Sequence, residues 1–254
     1  MLCKGQIARA FSQAAPSYDS AAALQRHVGL HLLDLLENCS GSLAGKQVLD
    51  IGAGSGYLSR CMCERGAEPL ALDLAEGMLR HIVDTQNIPC ILGDAEHLPL
   101  RNAAFDAAFS SLALQWCHLP RALAEMQRVC RPGGSMAVST LAEGSLWQLR
   151  QAWQAADRQN HVNHFLSETA IRQSCAGLPE CRIKTETVTR YFADVPALVC
   201  DLKNVGANYV AGRATGMTGK RRWQDFCSAY ETMRAPNGLL PLDYRVVYII
   251  AKCG

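Results

Sequence analysis

No apolar run in this sequence approaches the roughly 18 residues that a membrane-spanning helix needs. The opening stretch, MLCKGQIARAF, is also too polar for the apolar core of a secretory signal. The spacings of metal and redox motifs are missing as well. Twelve cysteines are present, yet no C-x-x-C occurs; Cys61 and Cys63 form a C-x-C pair and the other ten are scattered. With no signal towards an oxidising compartment, these thiols are expected to be reduced and structural in a cytoplasmic protein, without a metal. An excess of one charge is lacking too: 25 basic against 23 acidic residues leave a net +2. That balance argues against a protein specialised for nucleic acid or for an anionic membrane. The small excess is uneven, because residues 1–140 carry 11 basic and 13 acidic side chains and residues 141–254 carry 14 and 10. Internal repeats and low-complexity segments are absent. What remains is an ordinary globular mix, 49 % hydrophobic and 19 % charged, in 254 residues, enough for one large α/β domain that buries its core without disulfides.

From about residue 46 short apolar runs alternate with amphipathic stretches. KQVLDI (46–51), EPLALDL (68–74), PCILGD (89–94), FDAAFSS (105–111) and GSMAVST (134–140) read as strands. Between them lie a helix over 55–65, a second carrying Met78, Leu79, Ile82 and Val83, and a third with a stripe of Leu123, Met126 and Cys130 that ends at Arg131-Pro132-Gly133-Gly134. Strands and helices in this alternation predict a doubly wound, mostly parallel sheet covered on both faces. Ahead of it, Leu24, Val28, Leu32 and Leu35 place an apolar stripe on a helix of about 21–37. Behind it come a helix over 145–158, a strand over 182–192, helices near 194–207 and 220–232, and a final strand over 243–252. The chain therefore divides into a helical N-terminal lid (1–40), a core (46–140), a largely helical insertion (141–240) and a closing strand (241–254).

The sharpest signal is VLDIGAGSGYLS (48–59), a strand that runs into Gly52-Ala53-Gly54-Ser55-Gly56 and straight on into a helix. Glycines permit positive φ and let backbone approach a ligand, and ligands of open parallel sheets lie beyond the carboxyl ends of the strands. Asp73 ends the second strand, placed to accept both hydroxyls of a ribose. Asp94 ends the third, within reach of an adenine amino group. Three successive strands thus end in a glycine loop or an acid at one sheet edge, a constellation specific for an adenosyl ligand. A dinucleotide loop reads G-x-G-x-x-G; here the third glycine position is Tyr57. Asp50, just before the loop, would repel a pyrophosphate but suits the amino group and sulfonium of S-adenosylmethionine.

Taken in order, LDIGAGSG, ALDLAEGML, GDAEHLPL, FDAAFSSLALQW and RPGG resemble the motifs of the class I methyltransferases, over roughly residues 46–140. The resemblance implies a seven-stranded sheet whose last strand is antiparallel. It also implies that Gly52, Ala53, Gly54 and Gly56 line the methionine part of the cofactor. Asp73 would take the ribose, Leu74 and Met78 would lie on the adenine, Asp94 with Ala95 would read its amino edge, and Leu112 would border the same ligand. For Met78, plain core packing is an equally good reading.

The flanks are more particular. AFSQAAPSYDSAAALQRH, SLALQWC, EGSLWQLRQAWQAAD, DLKNVGAN and PLDYRVVYIIAK resemble the malonyl-[acyl-carrier protein] O-methyltransferases of biotin synthesis, the BioC family, over nearly the whole chain; GRATGMTGKRRW (212–223) matches them loosely. This resemblance implies methylation of the free carboxylate of a malonyl thioester on acyl carrier protein. Such a carboxylate is ionised at neutral pH and needs no general base; the enzyme must align oxygen, methyl and sulfur and exclude water. Tyr18 on the lid is the candidate catalytic group, as a hydrogen-bond donor, with packing of the lid as its alternative. Gln115 and Trp116 are candidates for the substrate pocket. Arg26 is a candidate partner for the cofactor carboxylate, equally readable as a solvated cation. An acidic carrier protein calls for a basic docking face, for which Arg213, Lys220, Arg221 and Arg222 are candidates. His161 and His164 have H-x-x-H spacing but no companion ligands, and are expected to be structural. Two other functions remain open: methylation of a small free acid or quinone-type ring, and adenosyl binding without catalysis.

Overall fold

The computed structural model describes residues 3–157, 159–206 and 219–254. Seven strands form one sheet: β1 (Gln47–Ile51), β2 (Glu68–Asp73), β3 (Cys90–Leu92), β4 (Phe105–Ser111), β5 (Cys130–Leu141), β6 (Arg182–Phe192) and β7 (Leu240–Lys252). Their order is β3-β2-β1-β4-β5-β7-β6; the first five pair in parallel, and β7 lies antiparallel between β5 and β6. This is the doubly wound, mostly parallel architecture with an antiparallel last strand that the sequence led us to expect.

The run of buried residues in β1 explains its central place. Val48, Leu49 and Ile51 are at most 1 % exposed, because a parallel strand covered on both faces needs no polar side. Successive side chains divide between the faces. Val48, Phe109 and Val246 join the layer under α2 (Ala23–Ser40), while Leu49, Ala108 and Val247 join the layer under α5 (Leu119–Val129) and α7 (Glu168–Ser174). Each Leu- or Val-sized side chain so buried contributes about 1.5–3 kcal/mol.

The N-terminal segment is two helices, α1 (Lys4–Ala21) and α2, and α1 runs through Pro16. Proline removes one helical hydrogen bond, and contacts outside the helix hold the turns around it. Ser12 Oγ accepts from Gly77 N–H at 3.1 Å, at the start of α4 (Glu76–Thr85), and Ser17 Oγ donates to the carbonyl of Asn204 at 3.3 Å, at the end of α8 (Val195–Asn204). α1 is thereby docked across the carboxyl edge of the sheet.

One expectation needs correction: Cys130 does not continue the stripe of Leu123 and Met126. The helix ends at Val129, where Ala103 and Ala104 N–H donate to the carbonyls of Arg128 and Val129 and draw the chain into the sheet, so Cys130 opens β5 opposite Phe105. Two short elements were not anticipated: α7, capped by Ser167 Oγ accepting from Ala170 N–H, and the 3-10 turn Leu114–Trp116.

Candidate active site

The strand order reverses between β1 and β4, which both pair within the sheet while β2 and β5 continue outward in opposite directions. A crevice opens at the carboxyl ends there, and the glycine loop fills its floor. Gly52 has φ +73°, and a Cβ added to it would stand 2.3 Å from Ala113 Cβ on the segment after β4. No L side chain fits. Gly54, at φ +56°, donates its N–H to Asp73 Oδ2 at 2.9 Å, and a Cβ there would meet the Tyr18 ring at 3.7 Å. The loop is thus held between the end of β2 and the lid.

Above it lies a cleft of about 750 Å³, bounded by α1 on one side and the ends of β1, β2 and β4 on the other. Asp73 stands in its wall, accepting from Gly54 N–H and from Ala75 N–H (2.7 Å). Burial pushes its carboxyl pKa up, against the pull of those amides. Met78, fully buried, and Leu74 give an apolar surface beside it. Further along, Asp94 and Glu96 share the Lys4 ammonium of α1, at 2.6 and 2.7 Å. Burial pushes the Asp94 carboxyl up, but the Lys4 hydrogen bonds and charge and the Glu96 N–H outweigh it and hold it below the usual range. An acid for a ribose, an acid for an adenine edge, an apolar wall and bare loop backbone are what S-adenosylmethionine requires, and the residues present fit it.

A second cavity of about 1440 Å³ adjoins the first, lined largely by apolar side chains of α6 (Trp147–Ala156), α8 and the ends of β5 and β7. Phe11, Tyr18, Leu112 and Trp116 border both cavities. Phe11 and Trp116 meet edge to face, with ring centroids 5.8 Å apart, and Leu112 takes φ +50°, a costly conformation for leucine. Among the described residues the Tyr18 hydroxyl makes no hydrogen bond. Burial and the nearby Asp73 and Asp19 charges raise its pKa far above the ordinary phenol, so it stays protonated, a donor.

Most residues expected around the cofactor border the first cavity, including Gly52, Gly54, Asp73, Met78 and Asp94. Three do not. Asp50 lies beneath the loop, 2 % exposed, with Ser59 Oγ donating to Oδ2 at 2.5 Å; burial, and secondarily the Asp73 charge, push its pKa to about 7. Ala53 packs beside Ala71 and Ile82, and Gly56 caps α3 (Tyr57–Glu64) with a left-handed φ of +80°. These three support the loop from behind. Arg26 borders neither cavity: Nη2 donates to the Asp19 carbonyl at 2.6 Å and the guanidinium lies 4.8 Å from the Tyr57 ring centre. Gln115 faces the second cavity, its Nε2 donating to the Leu112 carbonyl at 2.6 Å. Lys220, Arg221 and Arg222 are exposed on the first turn of α9 (Lys220–Glu231), and Arg213 lies outside the described residues. His161 lines the second cavity. The sequence marked 1–40 as a lid but singled out neither Lys4 nor Phe11, because their partners Asp94, Glu96 and Trp116 lie far along the chain.

Among the described residues no cluster of histidine, cysteine, aspartate and glutamate could hold a metal ion, no helix is long and apolar enough to cross a membrane, and no disulfide joins any two cysteines.

Residues 49–138 match a family model described as a methyltransferase domain. The malonyl-[acyl-carrier protein] O-methyltransferase of Serratia marcescens is 46 % identical over 248 residues, which cover 96 % of this chain and 94 % of that protein. The biotin biosynthesis bifunctional protein BioHC of Cellvibrio japonicus is 41 % identical over 254 residues; they take in 97 % of this chain and half of that longer protein. Among solved structures, a SAM-dependent methyltransferase from Archaeoglobus fulgidus superposes with a TM-score of 0.52 at 16 % identity, covering 90 % of this chain and 94 % of that one, a likeness of fold.

Proposed function

The chain belongs to the malonyl-[acyl-carrier protein] O-methyltransferases, a family of S-adenosylmethionine-dependent enzymes, and from that premise we propose that it esterifies the free carboxylate of a malonyl group carried on acyl carrier protein, in the cytoplasm, as a step of biotin synthesis. The observation that carries this reading is the common wall of two cavities. The glycine-loop cleft fits the methyl donor, the larger apolar cavity suits an acyl thioester, and Tyr18, Leu112 and Trp116 stand where the two meet.

S-adenosylmethionine supplies an electrophilic methyl group; the chain's residues supply position and dryness. The acceptor carboxylate is already ionised at neutral pH, so no base has to take a proton from it. Tyr18, protonated and unpartnered, donates to the carboxylate oxygen that is not methylated and fixes its orientation. Phe11 and Trp116 close the junction against water. Asp73 and Asp94 hold ribose and adenine, and Asp73, with Asp50 once it is ionised, complements the donor's positive charge. The basic turn of α9 docks the acidic carrier. Three cations at a helix N-terminus oppose the helix dipole and cost a few tenths of a kcal/mol each, so helix stability does not account for them. Arg222 also sits 3.6 Å from Asp157, whose other oxygen meets the cavity-lining His161, which places the basic turn beside the cavity.

The test offers methyl-labelled cofactor together with malonyl carrier protein, malonyl coenzyme A and free malonate. Methyl ester on the carrier-linked malonyl group is the expected product. Labelling of free malonate alone would move the enzyme to small acids, and cofactor binding with no transfer to any acceptor would make it a non-catalytic binder.

A further inference from the structure

Buried acceptors without partners are uncommon, and each costs about 1–3 kcal/mol when no donor arrives. Three unpartnered atoms belong to residues that line the second cavity: the acceptors Gln25 Oε1 and Gln115 Oε1, and His161 Nδ1, have no hydrogen-bond partner among the described residues. Two of them are fixed in orientation. Gln115 spends its amide N–H on the Leu112 carbonyl, so the oxygen is its free end. The His161 side chain is 6 % exposed, and Nε2 lies 2.8 Å from Asp157 Oδ1. Asp157 is held below the usual carboxyl range, despite its burial, by Gln159 N–H, His161 and Arg222. Nε2 is committed to that carboxylate, and Nδ1, the second ring nitrogen, is left without a partner in a residue that lines the cavity. The ring lies flat on Trp153 (centroids 3.9 Å apart, 10° between planes), and Trp153 lies on Phe226 in turn (4.1 Å, 15°).

A ligand that satisfies the two glutamine oxygens must bring N–H or O–H groups on an otherwise apolar body. A malonate ion brings none. We propose that the second cavity is a subsite for the pantetheine arm of the acyl thioester, with Gln115 and Gln25 accepting from its amide N–H or hydroxyl groups and His161 Nδ1 meeting another of its polar groups. The proposal rests on the thioester reading above and deepens it, for it makes the cavity the element that separates carrier-bound malonyl from free acid. Leu146, Leu149 and Phe165 supply the apolar walls for the methylenes of such an arm, and Lys203, exposed on the last turn of α8, offers a cation to its phosphate end.

The experiment compares two malonyl thioesters, one on pantetheine and one on methanethiol, which has no amide. The wild-type enzyme is expected to favour the pantetheine ester by tenfold or more in kcat/KM, chiefly through KM. His161→Phe, which preserves the ring stack and removes the ring nitrogens, is expected to cut that preference several-fold, with cofactor affinity as the control for folding. Gln115→Met, which leaves the stacked rings untouched, gives the same readout should the first variant not fold. If the wild type shows no preference, or if each variant slows both esters by the same factor, the subsite is refuted while the malonyl thioester reading stands. If neither ester is methylated and free malonate is, both fall.

Discussion

Replacing Asp50 by asparagine should make the cofactor-free protein more stable at pH 8 and a poorer binder of its cofactor. Asp50 is 2 % exposed, and among the described residues its one side-chain hydrogen bond comes from Ser59 and no cation lies against it. Burial lifts its pKa to about 7, whereas an unfolded aspartate titrates near 3.9. Three pKa units correspond to about 4 kcal/mol. The folded state holds the extra proton between these two values, so the cofactor-free protein loses this stability as pH rises from about 4 to about 7, and the loss is complete above 7. Asparagine keeps the shape and cannot ionise. Allowing about 1 kcal/mol for its poorer match to Ser59, the variant gains about 3 kcal/mol at pH 8. For a chain of this length that raises Tm by about 6 °C, and the gain vanishes at pH 4. Thermal unfolding followed by circular dichroism over pH 4–8, without cofactor, reads both quantities. With cofactor the order reverses, because the cationic ligand binds the ionised carboxylate better. Wild-type affinity should tighten as pH rises through 7, and the variant should lose roughly tenfold and most of that pH dependence. A variant whose Tm falls equally at pH 5 and pH 8 would show that the carboxylate is comfortable without the ligand, and would refute the reasoning.

Tyr18→Phe removes one donor to a charged group, worth about 1.5–3 kcal/mol; kcat/KM for the malonyl substrate should fall ten- to a hundredfold with cofactor affinity unchanged, and equal turnover would remove the assigned role. Lys4→Met breaks the bridge to Asp94 and Glu96, a half-exposed contact worth about 1 kcal/mol; limited proteolysis within α1 should quicken about fivefold while global Tm barely moves. Gly77→Val puts a Cβ 2.8 Å from Ser12 and should lift α1 from α4, lowering turnover without unfolding the sheet, as hydrogen exchange confined to α1 would report. Reversing Lys220, Arg221 and Arg222 to glutamate should raise KM for carrier protein by tenfold or more, an effect that added salt diminishes; an unchanged KM would free this turn from docking.

What could be read from the sequence divides along a physical line. β4 was placed residue for residue because a buried strand is apolar over its own length, and the edge strand β6 likewise because Ile183, Thr185, Thr187, Val188, Thr189, Tyr191 and Phe192 make it rich in β-branched and aromatic residues. The loop from Gly52 to Gly56 was legible for a similar reason: its conformation is written in the residue types that alone tolerate it. Cys130 was misplaced because an apolar residue satisfies a helix stripe and a strand equally, and the deciding bonds come from Ala103 and Ala104, a stretch of chain far away. His161 shows the same limit in the site itself. Its H-x-x-H spacing carried no information, because its partners are Asp157 one turn back and the face of Trp153, and its free nitrogen matters only beside a cavity built from α6, α8 and β7. Cofactor binding in this fold is local to one loop and two strand ends and so is visible in sequence, while acceptor binding is assembled from segments remote from one another, so the residues that choose the substrate emerge only once the chain is folded.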